Sequence, residues 1–265
     1  MKVNIMTEQD IERLAPLQPA DWLNIEIKFL EFVISDFAFP VIFSVNNEMV
    51  GVGTSIIHEN VAWLANIIVH PQHRKKGIGQ TITEYLIEEA LEMKCQTIYL
   101  CATELGRFVY SKLGFVTETH YVFYKNLDIK NHQLCKNIVP YSDKLRKEVL
   151  DLDLKCSGEN RINSLEGHIS KSYLYRNENK TKGVYLPTLG EGLVIATTET
   201  AGLELMKWRL NSQTKAVFPI ENQSALSFME QADYHPYLKQ DRMRWGPERA
   251  HHLSFIYNRV GGYLG

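Results

Sequence analysis

Between residues 41 and 69 the chain is apolar in three dense runs. Residues 41–45, 50–57 and 61–69 are rich in β-branched and aromatic side chains, and the turn-prone Asn46-Asn47 and His58-Glu59-Asn60 interrupt them, which predicts three antiparallel strands. Ahead of them, residues 3–6 read as a strand and residues 8–17 and 22–35 as helices, with Thr7 and Asp21 as N-caps. After them, Ile82, Tyr85, Leu86, Ala90 and Met93 recur at helical spacing, and residues 97–100 return to a strand pattern. Thr103 caps a short helix that ends at Gly114, and residues 115–124 make one more strand. Strands and helices alternate in the manner of an α/β fold with a mixed sheet.

The order then repeats. After a polar linker at residues 128–133, residues 138–141 begin a strand, 143–154 and 161–172 follow as helices, and 183–186 and 192–196 as strands. Residues 200–210 form a helix, 216–219 a strand, 222–231 a helix capped by Asn222, and 235–243 a closing strand. Such duplication of pattern without evident sequence identity predicts two copies of one fold, at residues 1–128 and 129–265.

Composition narrows the class. A net charge of −2 over 265 residues argues against broad phosphate neutralisation, so no nucleic-acid partner is expected and any anionic ligand is small. Residues 29–45 are the richest apolar stretch, but Glu31, Asp36 and Pro40 break it, so no membrane span is expected. The start turns acidic at Glu8 before any apolar core, which sets the cytoplasm as the expected location. Cys95, Cys101, Cys135 and Cys156 contain no CxxC pair, so reduced thiols are expected, with no metal site.

Chemistry concentrates where the third strand of the meander meets the following helix, at Ile67-Ile68-Val69-His70-Pro71-Gln72-His73-Arg74-Lys75-Lys76-Gly77-Ile78-Gly79-Gln80. Gly77 and Gly79 permit backbone that a β-carbon would obstruct, so successive N–H groups can converge on a phosphate. The helix start adds unsatisfied amides and the positive end of its dipole. Arg74, Lys75 and Lys76 supply local cations in a slightly acidic chain. The segment lacks both the Gly-Lys-Ser/Thr ending of a P-loop and the G-x-G-x-x-G of dinucleotide folds.

Arg74-x-x-Gly77-x-Gly79 after a strand resembles the R/Q-x-x-G-x-G/A signature of the GNAT superfamily of acetyltransferases. The resemblance implies acetyl-CoA as acyl donor, with its pyrophosphate on the amides of Arg74, Lys75, Lys76, Gly77, Ile78, Gly79 and Gln80. Pantetheine would run beside Ile67, Ile68 and Val69, where the family's strands splay, and Val69 would make the main backbone contact. The run ending Tyr110-Ser111-Lys112-Leu113-Gly114-Phe115 resembles the family's Tyr-x-x-x-Gly-Phe. This implies that Tyr110 is the acid that protonates the departing thiolate. His58, Glu59, Asn66 and His70 lie on or beside the meander as possible bases, none of them assigned. Desolvation could instead lower the amine's own pKa, and backbone N–H near Val69 could stabilise the oxyanion.

The second half has no such loop. Ala196-Thr197-Thr198-Glu199-Thr200-Ala201-Gly202 stands in its place, acidic and without cations. Yet Ser157-Gly158-Glu159-Asn160-Arg161 and the stretch from Phe218 to Met243 resemble the C-terminal repeat of two-domain GNAT proteins. In the first half the run from Ala102 to Tyr110 resembles the same group, and Cys101 just before it departs from a pattern that often carries Asp there. The expectation is a tandem GNAT protein with an N-terminal catalytic domain and a degenerate C-terminal one, structural or walling the acceptor side through Tyr185, Trp208 and residues 242–245. The expected activity is N-acetyl transfer to a primary amine of a small molecule. The alternatives are a protein or peptide N-acetyltransferase and a non-catalytic acyl-CoA-binding sensor. Acyl preference, acceptor identity and oligomeric state are not legible.

Overall fold

The structure is a computed structural model and describes residues 1–20, 22–129 and 135–265. Asp21, expected as an N-cap, and residues 130–133 of the expected linker lie outside the described residues. The chain divides into two compact units. The first comprises Met1–Val116, Met243–Pro247 and Gly262–Leu264, and the second comprises Thr117–Arg242, Glu248–Gly261 and Gly265.

In the first unit β1 (Lys2–Ile5) leads through 3₁₀ turns at Glu8–Leu17 to α1 (Ile25–Val33). Pro16 lies inside the expected first helix, where it lacks the N–H a continuous α-helix needs. The second helix starts later than residue 22, because the Asn24 side chain accepts the Glu26 N–H as its cap. Then come β2 (Ala38–Val45), β3 (Glu48–His58), β4 (Val61–Val69), α2 (Ile78–Glu92), β5 (Thr97–Ala102) and α3 (Glu104–Lys112). The strand order is β1-β2-β3-β4-β5, followed by the segment 243–245 beside β5. The first four strands pair antiparallel, and β4 with β5 parallel.

The core of this unit brings Val41, Phe43, Ala62, Leu64, Ile98 and Leu100 of the sheet against Ile82, Leu86 and Ala90 of α2. Two glycines set how close the helix lies. A Cβ on Gly51 would stand 2.7 Å from the Ile82 side chain, and one on Gly53 would stand 2.8 Å from that of Leu86. Ile82 and Leu86 are fully buried there, each contributing about 1.5–3 kcal/mol relative to exposure. A substitution such as Gly53→Val would push α2 outward.

The second unit contains β6 (Val116–Tyr124), of which all but Val116 belongs to it, β7 (Ile138–Pro140), α4 (Arg146–Ser157), α5 (Ile162–Ile169), β8 (Tyr173–Asn177), β9 (Lys180–Leu186) and β10 (Leu193–Ala196). There follow α6 (Glu199–Leu210), β11 (Ala216–Pro219), α7 (Gln223–Gln231), β12 (Leu238–Trp245) and β13 (Ile256–Asn258). Its strands run β12-β6-β11 and β13-β10-β9-β8-β7. A core of Val122, Tyr124, Val194, Leu205, Met206, Phe218 and Tyr257 joins them.

A division of the chain at residue 128 differs from these units in two ways. Residues 117–124 of β6 fall in the second unit, where Tyr121 to Tyr124 pair with β11, and residues 243–245 of β12 fall in the first. Two strands were also absent from the sequence expectation. β8 follows α5 directly and joins β9 through Glu178 and Asn179, both at positive φ. β13 follows a 3₁₀ turn near the end of the chain. Tyr185 and Trp208, expected along an acceptor wall, both pack on Tyr173, with ring centroids 6.4 and 5.1 Å from it.

Candidate active site

The site begins where β4 leaves β5. Their parallel register holds for Val61↔Thr97, Ala62↔Ile98 and Trp63↔Tyr99 and then stops, although β4 continues to Val69 and β5 to Ala102. The last pair is aromatic, fully buried, with ring centroids 5.1 Å apart. On its other edge β4 stays paired with β3, but Gly53 faces both Asn66 and Ile67, because the register slips between Val52↔Ile68 and Thr54↔Ala65. Asn66 takes a positive φ of 48° at this bulge. A bulge of this kind bends its strand and adds local twist, which accounts for the parting. From Leu64 onward β4 has no paired β5 residue among the described residues. Ile67 and Val69 are half-buried and Ile68 buried, so this stretch of backbone is accessible at its end.

After Val69 the chain forms a 3₁₀ turn at Pro71–His73 and enters α2. The His73 and Arg74 amides bond to the carbonyls of His70 and Pro71, and the Thr81 amide to that of Gly77. Between them, the amides of Lys75, Lys76, Gly77, Ile78, Gly79 and Gln80 have no hydrogen-bond partner among the described residues. Gly77 stands at φ 80° as the cap residue, a conformation that disfavours any residue with a β-carbon. Lys75 also has positive φ, at 62°. A Cβ at Gly77 would meet nothing within 4 Å, and one at Gly79 only the Val69 side chain at 3.6 Å. Packing of the chain itself therefore does not demand glycine at 79; the space over it is open. Arg74, Lys75, Lys76 and Gln80 are exposed around this cradle. Arg74 Nε donates to the Val69 carbonyl across 3.3 Å, tying the loop to the strand end, and Gln80 donates to Glu84. Unpaired amides at a helix start, flanked by cations, fit a pyrophosphate.

Tyr110 lies on α3, whose Thr103 cap accepts the Gly106 N–H. Its ring packs on the first unit's core and on Phe115, at a centroid distance of 6.0 Å. The ring keeps some exposed area, but its hydroxyl is desolvated, which pushes the phenol up to about 12. No hydrogen-bond partner of that hydroxyl is found among the described residues. A phenol so placed stays protonated near neutrality and has its O–H available.

The possible bases separate. Asn66 is at the bulge and His70 immediately follows β4. His58 ends β3, pairing with Val61, and Glu59 follows it, whereas Val69 pairs with Gly51. Asn66 at the bulge lies five residues along β4 from Val61, about 16 Å at roughly 3.3 Å per residue, so His58 and Glu59 are too far to take a proton directly at the bulge.

The second unit fills the corresponding places. Only residues 197 and 198 connect β10 to α6, and Thr198 accepts the Ala201 N–H. Gly202 is there for packing, since a Cβ would stand 2.1 Å from the Tyr257 ring. β13 pairs along β10, and its Asn258 accepts the Val217 N–H of β11. Thus a strand occupies the position between β10 and β11, which in the first unit is the opening between β4 and β5. Short β13, late in the chain, carried no periodic signal that could have announced this.

Residues 6–115 match the acetyltransferase (GNAT) family. The first unit carries a GNAT acetyltransferase domain. Over the whole chain, the structure is similar to a Pyrococcus horikoshii protein assigned as an acetyltransferase, at 22% identity and TM-score 0.83, covering 100% of this chain and 95% of that one. A tandem GNAT protein from the clavulanic acid biosynthesis pathway matches at 12% identity and TM-score 0.58, covering 93% and 99%. An Enterococcus faecalis V583 protein assigned as an N-acyltransferase matches at 13% and 0.59, covering 92% and 72%. No curated protein sequence matched. These likenesses show a mixed α/β fold of tandem GNAT type. No described helix is long and apolar enough to cross a membrane.

Proposed function

We propose that this GNAT protein transfers the acetyl group of acetyl-CoA to a primary amine of a small molecule, using the first unit. The observation that carries the reading is the run of unpaired amides at residues 75–80 beside the stretch of β4 not paired with β5. The amides and the cations of Arg74, Lys75 and Lys76 hold the pyrophosphate. Pantetheine lies along β4 at Ile67, Ile68 and Val69 as an added strand, which delivers the thioester to the bulge.

There a neutral amine attacks the thioester carbonyl. The new C–N bond forms as the C–S bond breaks, the Tyr110 O–H protonates the leaving thiolate, and the proton shed by the acylated nitrogen returns to the Tyr110 phenolate. An alkylamine of pKa about 10.4 is mostly protonated near neutrality. Desolvation at the site lowers that value, and the released proton passes to solvent. Alignment of amine and thioester supplies much of the rate.

The test is release of free CoA thiol from acetyl-CoA across a panel of small amines and of peptides with free N-termini or lysines. Turnover confined to peptides would overturn the acceptor class. Acetyl-CoA binding without turnover of any amine would leave a sensor.

A further inference from the structure

Glu48 opens β3, and His70 caps and His73 ends the 3₁₀ turn after β4. The hairpin register brings these separated segments together, and one ligand-type atom from each lies within 4.8 Å of the other two. His73 Nε2 stands 3.3 Å from Glu48 Oε1, and the two imidazole rings meet edge to face at 5.5 Å. Nitrogen and oxygen ligands at about 2.0–2.2 Å from a tetrahedral ion are separated by roughly 3.3–3.5 Å. The Glu48–His73 edge already has that length. His70 also lines an open cleft with Glu12, Leu17, Glu48 and Met49, so a fourth position can be taken by water.

We infer that Glu48, His70 and His73 form a site for a divalent transition-metal ion, a two-histidine, one-carboxylate set of the type that suits zinc. Neutral imidazoles and a carboxylate together balance one of the ion's two charges, leaving a local positive charge. Whichever ring nitrogen of His70 faces the ion, the long 3.3 Å bond from the Gln72 N–H to its Nδ1 is given up. A coordinate bond replaces it. Because His73 immediately precedes Arg74, the ion would clamp the start of β3 to the loop that leads into the unpaired amides. Spacing alone did not announce the site, because the carboxylate comes from a different strand than the His-x-x-His pair.

The experiment uses full-length protein stripped with chelator and titrated with Co²⁺ as a spectroscopic probe, then with Zn²⁺ in competition. Glu48 is exposed and His73 half-buried, so Glu48→Gln and His73→Ala should fold. One equivalent of Co²⁺ with tetrahedral ligand-field bands is expected, displaced by Zn²⁺, with a rise in Tm on Zn²⁺ addition. Each variant should weaken binding by more than about 100-fold, since even outer-shell changes cost about 10- to 100-fold. No binding, or one-equivalent binding unchanged in both variants, overturns the site. The readout does not depend on acetyl transfer.

Discussion

Gly106 and Tyr110 stand one helical turn apart, and a Cβ on Gly106 would come within 2.8 Å of the Tyr110 ring at Cε2. The side chain of a helical residue covers the turn before it, and here the absent β-carbon makes the space. Gly106→Ala should therefore displace the phenol while improving helix propensity. We expect near-unchanged Tm and acetyl-CoA affinity with kcat reduced at least about 10-fold, read by thiol release. Tyr110→Phe should cost about 100- to 10,000-fold in kcat. Full activity in both variants would reduce Tyr110 to packing. With its phenol held at about 12, Tyr110 should add no falling limb to the pH–rate profile between about pH 7 and 10.

Gly79→Asp should abolish acetyl-CoA binding without unfolding the protein. The open space over Gly79 admits a side chain, but the new carboxylate would occupy the pyrophosphate position and repel it. Calorimetry should show affinity reduced at least about 100-fold, equivalent to about 3 kcal/mol of lost binding. Unchanged affinity in a folded variant would misplace the site.

Full-length protein should bind one acetyl-CoA per chain, because β13 lies along β10 where a cofactor strand would need to enter. Asn258, fully buried, holds that strand by accepting the Val217 N–H and donating to the Gly192 carbonyl. Asn258→Ala should cost about 1–3 kcal/mol for each buried group left unmet, seen as a lower urea midpoint, and should create no second binding event. Two equivalents in the native protein would contradict this reading.

Acidification should destabilise the protein through His251. Burial, and then the nearby Arg242 guanidinium, push its imidazole below the ordinary histidine range, against a weaker opposite pull from Glu118. The unfolded chain takes up this proton near pH 6.5, and the folded chain only at lower pH. The contribution is then fully present above about pH 6.5 and lost as pH falls toward the folded value. His251→Gln should flatten the decline in urea midpoint between about pH 7.5 and 5.5. An identical slope in wild type and variant would assign the acid sensitivity elsewhere.

Local chemistry made the candidate loop at residues 74–80 legible in the amino-acid sequence. Glycines, cations and a helix start act within a few residues of one another, and their resemblance to a family signature pointed to a run of amides that the structure leaves without a partner among the described residues. The alternation of the meander and the spacing of Ile82, Leu86 and Ala90 likewise follow from single-element periodicity. What only tertiary structure decided depends on residues distant in sequence. The parting of β4 from β5 arises at a bulge opposite Gly53, the exclusion of His58 and Glu59 follows from hairpin register, and the role of Gly106 appears only when the Tyr110 ring lies over it. Strand exchange was invisible for the same reason: residues 117–124 satisfy a strand pattern equally well beside β5 or β11, and the choice is made by which edge their backbone finds to pair with.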